Sequence, residues 1–129
     1  MTIKLNNAIF PLLLLIMFTA CQYQQPDYLT LIKPAELYQL MQNQDIFLID
    51  VHTPQQRHIK GTDLFIPFNE IAKHQDQLPQ DKSAPIYLYC QGGPMGNEAS
   101  KALHELGYQQ LFNLDGGAAA WKNAGFEFE

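Results

Sequence analysis

After Tyr28 the chain alternates between short, wholly apolar runs and segments whose apolar residues recur at helical spacing. Ile46-Phe47-Leu48-Ile49 is a continuous apolar run ending at Asp50, the pattern of a strand covered on both faces. Phe65-Ile66 is a second short run, Pro85-Ile86-Tyr87-Leu88-Tyr89 a third, and Leu111-Phe112-Asn113-Leu114 a last one. Helical segments lie between them. Pro34 opens one, where its missing N–H costs nothing, with Leu37, Leu40 and Met41 as its buried stripe. The stretch from Phe68 to Gln77 predicts a second, with Phe68, Ile71 and Ala72 on one side. Ala99, Ala102, Leu103 and Leu106 fall at i, i+3, i+4 and i+7. They predict an amphipathic helix that begins near Asn97 and closes on Gly107. Gly116-Gly117 leads into a short helix carrying Trp121, which reads as core packing. Strand and helix alternate throughout, which predicts an α/β domain with an open, mostly parallel sheet and helices on both faces.

The segment before Tyr28 has another pattern. Lys4 gives a thin positive start, and Ala8 to Phe18 is wholly apolar apart from Pro11. As a helix that run would rise about 16 Å, roughly half of a bilayer's hydrocarbon core. It is a poor membrane span and a good signal-peptide core. Thr19-Ala20-Cys21 follows and resembles the lipobox of bacterial lipoproteins, in which the peptide is cut before a cysteine that then carries lipid. The expected organisation is a signal peptide over residues 1–20, a polar tether over 21–27 and one domain over 28–129. Lipidation at Cys21 would anchor a periplasm-facing protein to the bacterial cell envelope. Gln22 after the cysteine points by analogy to the outer membrane. A plain secretory signal, with Cys21 left as a free thiol, and an uncleaved anchor are the alternatives.

Composition narrows the function classes. The chain has 129 residues, enough for one core and not two. Basic residues number 8 against 13 acidic ones, and Arg57 is the only arginine. Nucleic-acid binding requires a clustered basic face, so no nucleic-acid partner is expected. Two cysteines make no disulfide framework, and a four-ligand zinc site would need most of the four histidines beside them. His74 and His104 have no second ligand at i+4, so no metal and no cofactor is expected.

One cysteine falls where an α/β sheet does its chemistry, beyond the carboxyl end of a strand. Cys90 follows Tyr89, and Gln91-Gly92-Gly93-Pro94-Met95-Gly96 leads toward the next helix. The glycines let the backbone curl so that successive N–H groups point inward. The helix start adds free N–H groups and the positive end of its dipole, so a thiolate or other anion is favoured there. A structural cysteine at a strand end would gain nothing from a Gly-Gly pair behind it. Asp50, at the end of another strand, is placed to bond the loop's amides and hold its shape. His52 reads as a solvated loop histidine.

With Asp50-Val51-His52-Thr53-Pro54 before it and Leu114-Asp115-Gly116-Gly117…Trp121 after it, this strand–Cys–glycine loop–helix resembles a single-domain rhodanese. His58-Ile59-Lys60-Gly61 matches a further family block after a connection a few residues shorter than usual, and marks His58 as structural. The resemblance runs from about Tyr28 to Gly125 and implies five parallel strands. It also implies that Cys90 takes sulfane sulfur from a donor such as thiosulfate or a protein persulfide. The sulfur would be held as a persulfide and passed to a thiol or cyanide-like acceptor. The departures are local. His52 stands in an arginine's place, and Gln91, Pro94, Met95 and Gly96 leave the loop without a cation, which implies weak capture of thiosulfate. A binding or sensing module without turnover is the alternative, and a redox protein would need a resolving thiol that lipidated Cys21 could not provide. Cysteine phosphatases need an arginine six residues past the cysteine, and Gly96 stands there.

Overall fold

The computed structural model describes Thr2 and residues 24–129. The apolar run Ala8 to Phe18 and the expected lipidation site Cys21 lie outside the described residues. Among the described residues no helix is long and apolar enough to cross a membrane. In chain order the elements are β1 (Leu29–Ile32), α1 (Pro34–Asn43), β2 (Leu48–Asp50), β3 (Leu64–Phe65), a 3₁₀ helix (Ile71–Gln77), β4 (Ile86–Tyr89), α2 (Pro94–Glu105), β5 (Leu111–Leu114) and α3 (Gly117–Asn123). The five strands form one sheet in the order β1-β5-β4-β2-β3, and every neighbouring pair is parallel. This is the expected architecture. Leu29–Ile32 is an edge strand too short to stand out in the hydrophobic pattern.

Alternation along the strands splits the core into two layers. Ile49, Val51, Ile86, Leu88 and Cys90 join Ala99 and Leu103 of α2 on one face. Leu48, Tyr87 and Tyr89 join Leu37 of α1 and Ala118 and Trp121 of α3 on the other. Burial of each such leucine or isoleucine stabilises the fold by roughly 1.5–3 kcal/mol. Leu37 is the fully buried member of the α1 stripe, with Leu40 and Met41 half-buried at its margin. The Trp121 indole donates to the carbonyl of Glu127 at 3.0 Å, so its one polar atom is satisfied within the second layer.

Two predicted helices differ from expectation. The segment after Phe68 is a 3₁₀ helix starting at Ile71 rather than an α-helix. Its tighter turn sends Ile71 inward and leaves Ala72 exposed. His74, at φ −116° and ψ 27°, interrupts it. Helix α2 starts at Pro94 rather than near Asn97, because Gly93 caps it at φ 125° and Pro94 fits the first helical position. Pro94, Met95 and Gly96 are therefore the helix's first turn, and the connecting loop shrinks to Cys90–Gly93.

Candidate active site

β4 is an inner strand, flanked by β5 and β2, so the residue that follows it emerges in the middle of the sheet's carboxyl edge. That residue is Cys90. Its side chain is 1% exposed and sits against the α2 layer, while Gln91 and Gly92 above it are exposed. The N–H of Gly93 donates to Cys90 Sγ at 3.0 Å. Among the described residues, the N–H groups of Gln91, Gly92 and Met95 donate to no protein acceptor. The curled loop and the α2 terminus thus bring unsatisfied donors to the region of the sulfur, as an anion site needs.

The loop is fixed from below. The Cys90 carbonyl accepts the Ala118 N–H at 2.8 Å, and the Gln91 carbonyl accepts the Ala119 N–H at 3.0 Å. These bonds need α3 to pass very close. Gly117 makes this possible: at φ 59°, a Cβ on it would lie 2.5 Å from the Cys90 carbonyl oxygen. On the other side, Asn113 of β5 donates from Nδ2 to the Gly93 carbonyl at 3.0 Å and to Asn97 Oδ1 at 2.9 Å. In the hydrophobic pattern Asn113 is one residue of the otherwise apolar run Leu111 to Leu114. Its polarity inside an otherwise apolar run was the available signal. Asn113 Oδ1 is buried without a hydrogen-bond partner and faces Gly96, where a Cβ would lie 2.1 Å from it.

The six residues expected to form the binding loop divide accordingly. Gln91, Gly92 and Pro94 are exposed, and Gly93 is half-buried beneath them. Met95 packs against the α2-side core. Gly96 is buried against Asn113 and presents no side-chain position to a ligand.

Asp50 does not support this loop, contrary to expectation. It pairs in register with Tyr89, so the alternation that sends Cys90 toward α2 sends Asp50 to the opposite face. There its fully buried carboxylate accepts the His52 N–H at 2.9 Å and the Gln56 amide at 3.3 Å. His58 Nδ1 lies 2.9 Å from its other oxygen. Asp50 therefore organises the 51–58 segment. His58 is structural in that sense, and His52 is partly exposed with its Nδ1 2.7 Å from the Pro54 carbonyl. The Tyr89 hydroxyl, on the same face, accepts the Ile59 N–H at 2.9 Å and shares a 2.8 Å bond with Thr62. Burial pushes its phenol well above the ordinary value, and the nearby Asp50 charge acts in the same direction.

A parallel sheet carrying a cysteine on a glycine loop at its carboxyl edge, under a helix N-terminus, defines a class of α/β proteins built around one thiol. The Rhodanese-like domain family model matches residues 33–124, and the chain belongs to that family. It is 35% identical over 98 residues to the uncharacterized protein slr1261 of Synechocystis, covering 73% of this chain and 52% of that one. The chain thus spans about half the length of that curated relative. It is 28% identical over 88 residues to a sulfurtransferase of Allochromatium vinosum, covering 67% of this chain and 80% of the relative. Its fold matches a Rhodopseudomonas palustris protein of unknown function, named as a possible tyrosine phosphatase, with a TM-score of 0.67. That match has 19% identity and covers 78% of this chain and 85% of that one.

Proposed function

We propose that this protein is a sulfurtransferase that carries sulfane sulfur on Cys90. The observation that carries the reading is Cys90 itself: a thiol at the end of an inner strand, with the Gly93 N–H on its sulfur, in a loop whose Gln91, Gly92 and Met95 N–H groups donate to no protein acceptor. In the first half-reaction the Cys90 thiolate attacks the sulfane sulfur of a donor. With thiosulfate, the S–S bond breaks and sulfite leaves with the electron pair. In the second, an acceptor thiolate attacks the outer sulfur of the Cys90 persulfide. The bond to Sγ then breaks, and its electron pair restores the Cys90 thiolate. The loop amides and the α2 terminus stabilise the charged sulfur at both stages. The name of the Allochromatium relative agrees with this chemistry. The phosphatase reading fails on geometry, because Gly96 occupies the arginine's place and Asn113 fills the space a side chain there would need.

The buried thiol and cationless loop favour one second reading, a binding module that does not turn over. Mass spectrometry of the soluble domain after incubation with thiosulfate or inorganic polysulfide separates the two. Gain of one sulfur atom on wild-type protein and none on Cys90→Ser or Cys90→Ala supports the sulfurtransferase. No gain with either donor rejects it. We also propose that Cys21 carries lipid and that the protein faces the periplasm from an envelope membrane. Cys21→Ser should release it to the soluble fraction or leave an unprocessed precursor, whereas a membrane-bound variant of mature size would reject the anchor.

A further inference from the structure

Tyr38 and Met41, three residues apart on α1, share one side of that helix. The fold sets them near Trp121 of α3 and Phe126 beyond its end, and a cavity of about 520 Å³ lies among them. These residues belong to the α1 and α3 layer, on the face of the sheet opposite Cys90. The cavity is therefore no part of the sulfur site. Its walls are held in place without a ligand. The Glu127 carbonyl accepts both the Trp121 indole N–H at 3.0 Å and the Lys60 N–H at 3.3 Å. Those two bonds tie the last segment to α3 and to the chain after Ile59. Tyr38 stacks on Phe126 with ring centroids 4.3 Å apart, and Trp121 meets Phe126 at a tilt of 53°. Tyr38, Met41 and Phe126 stay half-buried, so the cavity has an apolar, mostly aromatic wall.

Two charges stand at the rim. Lys60 Nζ and Glu127 Oε2 are 3.1 Å apart, and their side chains are 70% and 75% exposed. So exposed a pair is worth little, and exchanging it for a ligand's charges costs little. Among the described residues the lining has no other charged side chain. One cation beside one anion complements a ligand whose own anion and cation are adjacent. We propose that this cavity binds a free α-amino acid with an aromatic side chain. Its carboxylate meets Lys60 and its ammonium meets Glu127, two charges on one carbon as the close spacing requires. Its ring packs on Tyr38, Phe126 and the Met41 thioether, contacts that favour an aromatic over an aliphatic group. The volume lies in the range of small-molecule sites. The site uses no step of the Cys90 chemistry, so binding does not depend on whether Cys90 carries sulfur.

Trp121 is the only tryptophan, so its indole N–H gives one NMR signal that reports on this cavity. The nitrogen-labelled full chain is titrated with L-phenylalanine, and the indole signal should shift saturably with a Kd below about 1 mM. L-phenylalaninamide lacks the carboxylate and N-acetyl-L-phenylalanine lacks the ammonium. Each should bind about threefold to fivefold more weakly, the scale of one exposed ion pair, and L-leucine should also bind more weakly. Lys60→Gln should weaken L-phenylalanine by the same factor and erase its advantage over the amide. Glu127→Gln should erase the advantage over the N-acetyl compound instead, a pairing that general loss of structure does not produce. Absence of a saturable indole shift with L-phenylalanine overturns the proposal. Equal or tighter binding of either derivative also overturns it and assigns the cavity to a peptide end. Equal binding of L-leucine overturns the aromatic preference, and undiminished binding in the Lys60→Gln/Glu127→Gln double variant rejects the charged rim.

Discussion

Two connections meet at the carboxyl edge of the sheet, and they are held in opposite ways. The segment after β2 is organised by side chains: the buried carboxylate of Asp50 and the buried hydroxyl of Tyr89 take its N–H groups and His58. The Cys90 loop is held mainly through its carbonyls, by two N–H groups of α3 and the Asn113 amide. Holding a loop by its carbonyls leaves its own N–H groups for a ligand. Holding it with a carboxylate uses those groups, which suits a support and not an anion site. The difference follows from strand parity, because Asp50 and Tyr89 share the face opposite Cys90.

The sharpest way to break this contrast is to remove the carboxylate. Asp50→Ala should destabilise the domain by about 3 kcal/mol, since buried donors and His58 lose their acceptor. For a domain of this size that lowers Tm by roughly 15 °C, measurable by thermal unfolding. Loss of less than about 1 kcal/mol would mean that the 51–58 segment does not depend on Asp50.

The Cys90 loop should fail by crowding instead. Gly96→Ala drives a methyl into Asn113 Oδ1, with an expected cost of about 2 kcal/mol and a fall in sulfur loading because Gly93 shifts with Asn113. Adding Asn113→Ala should restore part of the stability and not the loading rate, a non-additive pair readable by denaturant titration. Simple additivity would show that the two residues do not press on one another.

Tyr89→Phe probes the other side-chain anchor. Burial raises the phenol's pKa above its ordinary 10.0, so above that pH the unfolded chain releases the proton first. Stability from this group is present below pH 10 and is lost as pH rises toward the folded-state value. Tyr89→Phe should flatten that alkaline decline while costing about 1 kcal/mol at neutral pH, because the Ile59 N–H loses its acceptor. An unchanged alkaline slope would assign the decline to other groups. The smallest effect belongs to Gly92. A Cβ there meets nothing within 4 Å, and its φ lies outside the left-handed region, so Gly92→Ala should change stability by less than about 0.5 kcal/mol. A larger loss would show that the loop needs more than its carbonyl bonds.

The local pattern by itself determined much of this protein. Apolar runs of strand length, helical spacing after Gly96 and a cysteine before paired glycines depend on neighbours a few residues apart, and such signals are legible along a chain. They placed β2, β4, β5, α1 and the body of α2, and they singled out Cys90. They did not give the start of α2, because a Gly-Gly-Pro stretch suits a loop as well as a helix N-terminus, and the fold puts Gly93 in the capping position with Pro94 as the first helical residue. Asp50 was legible as a strand-end carboxylate, but which loop it serves depends on the pairing of β2 with β4 and the face that register assigns. Asn113 in an apolar strand and Gly117 at the start of the last helix are far from Cys90 in sequence. Only the parallel sheet, returning each strand's end to one edge, brings Asn113 and the first turn of α3 against the Cys90 loop.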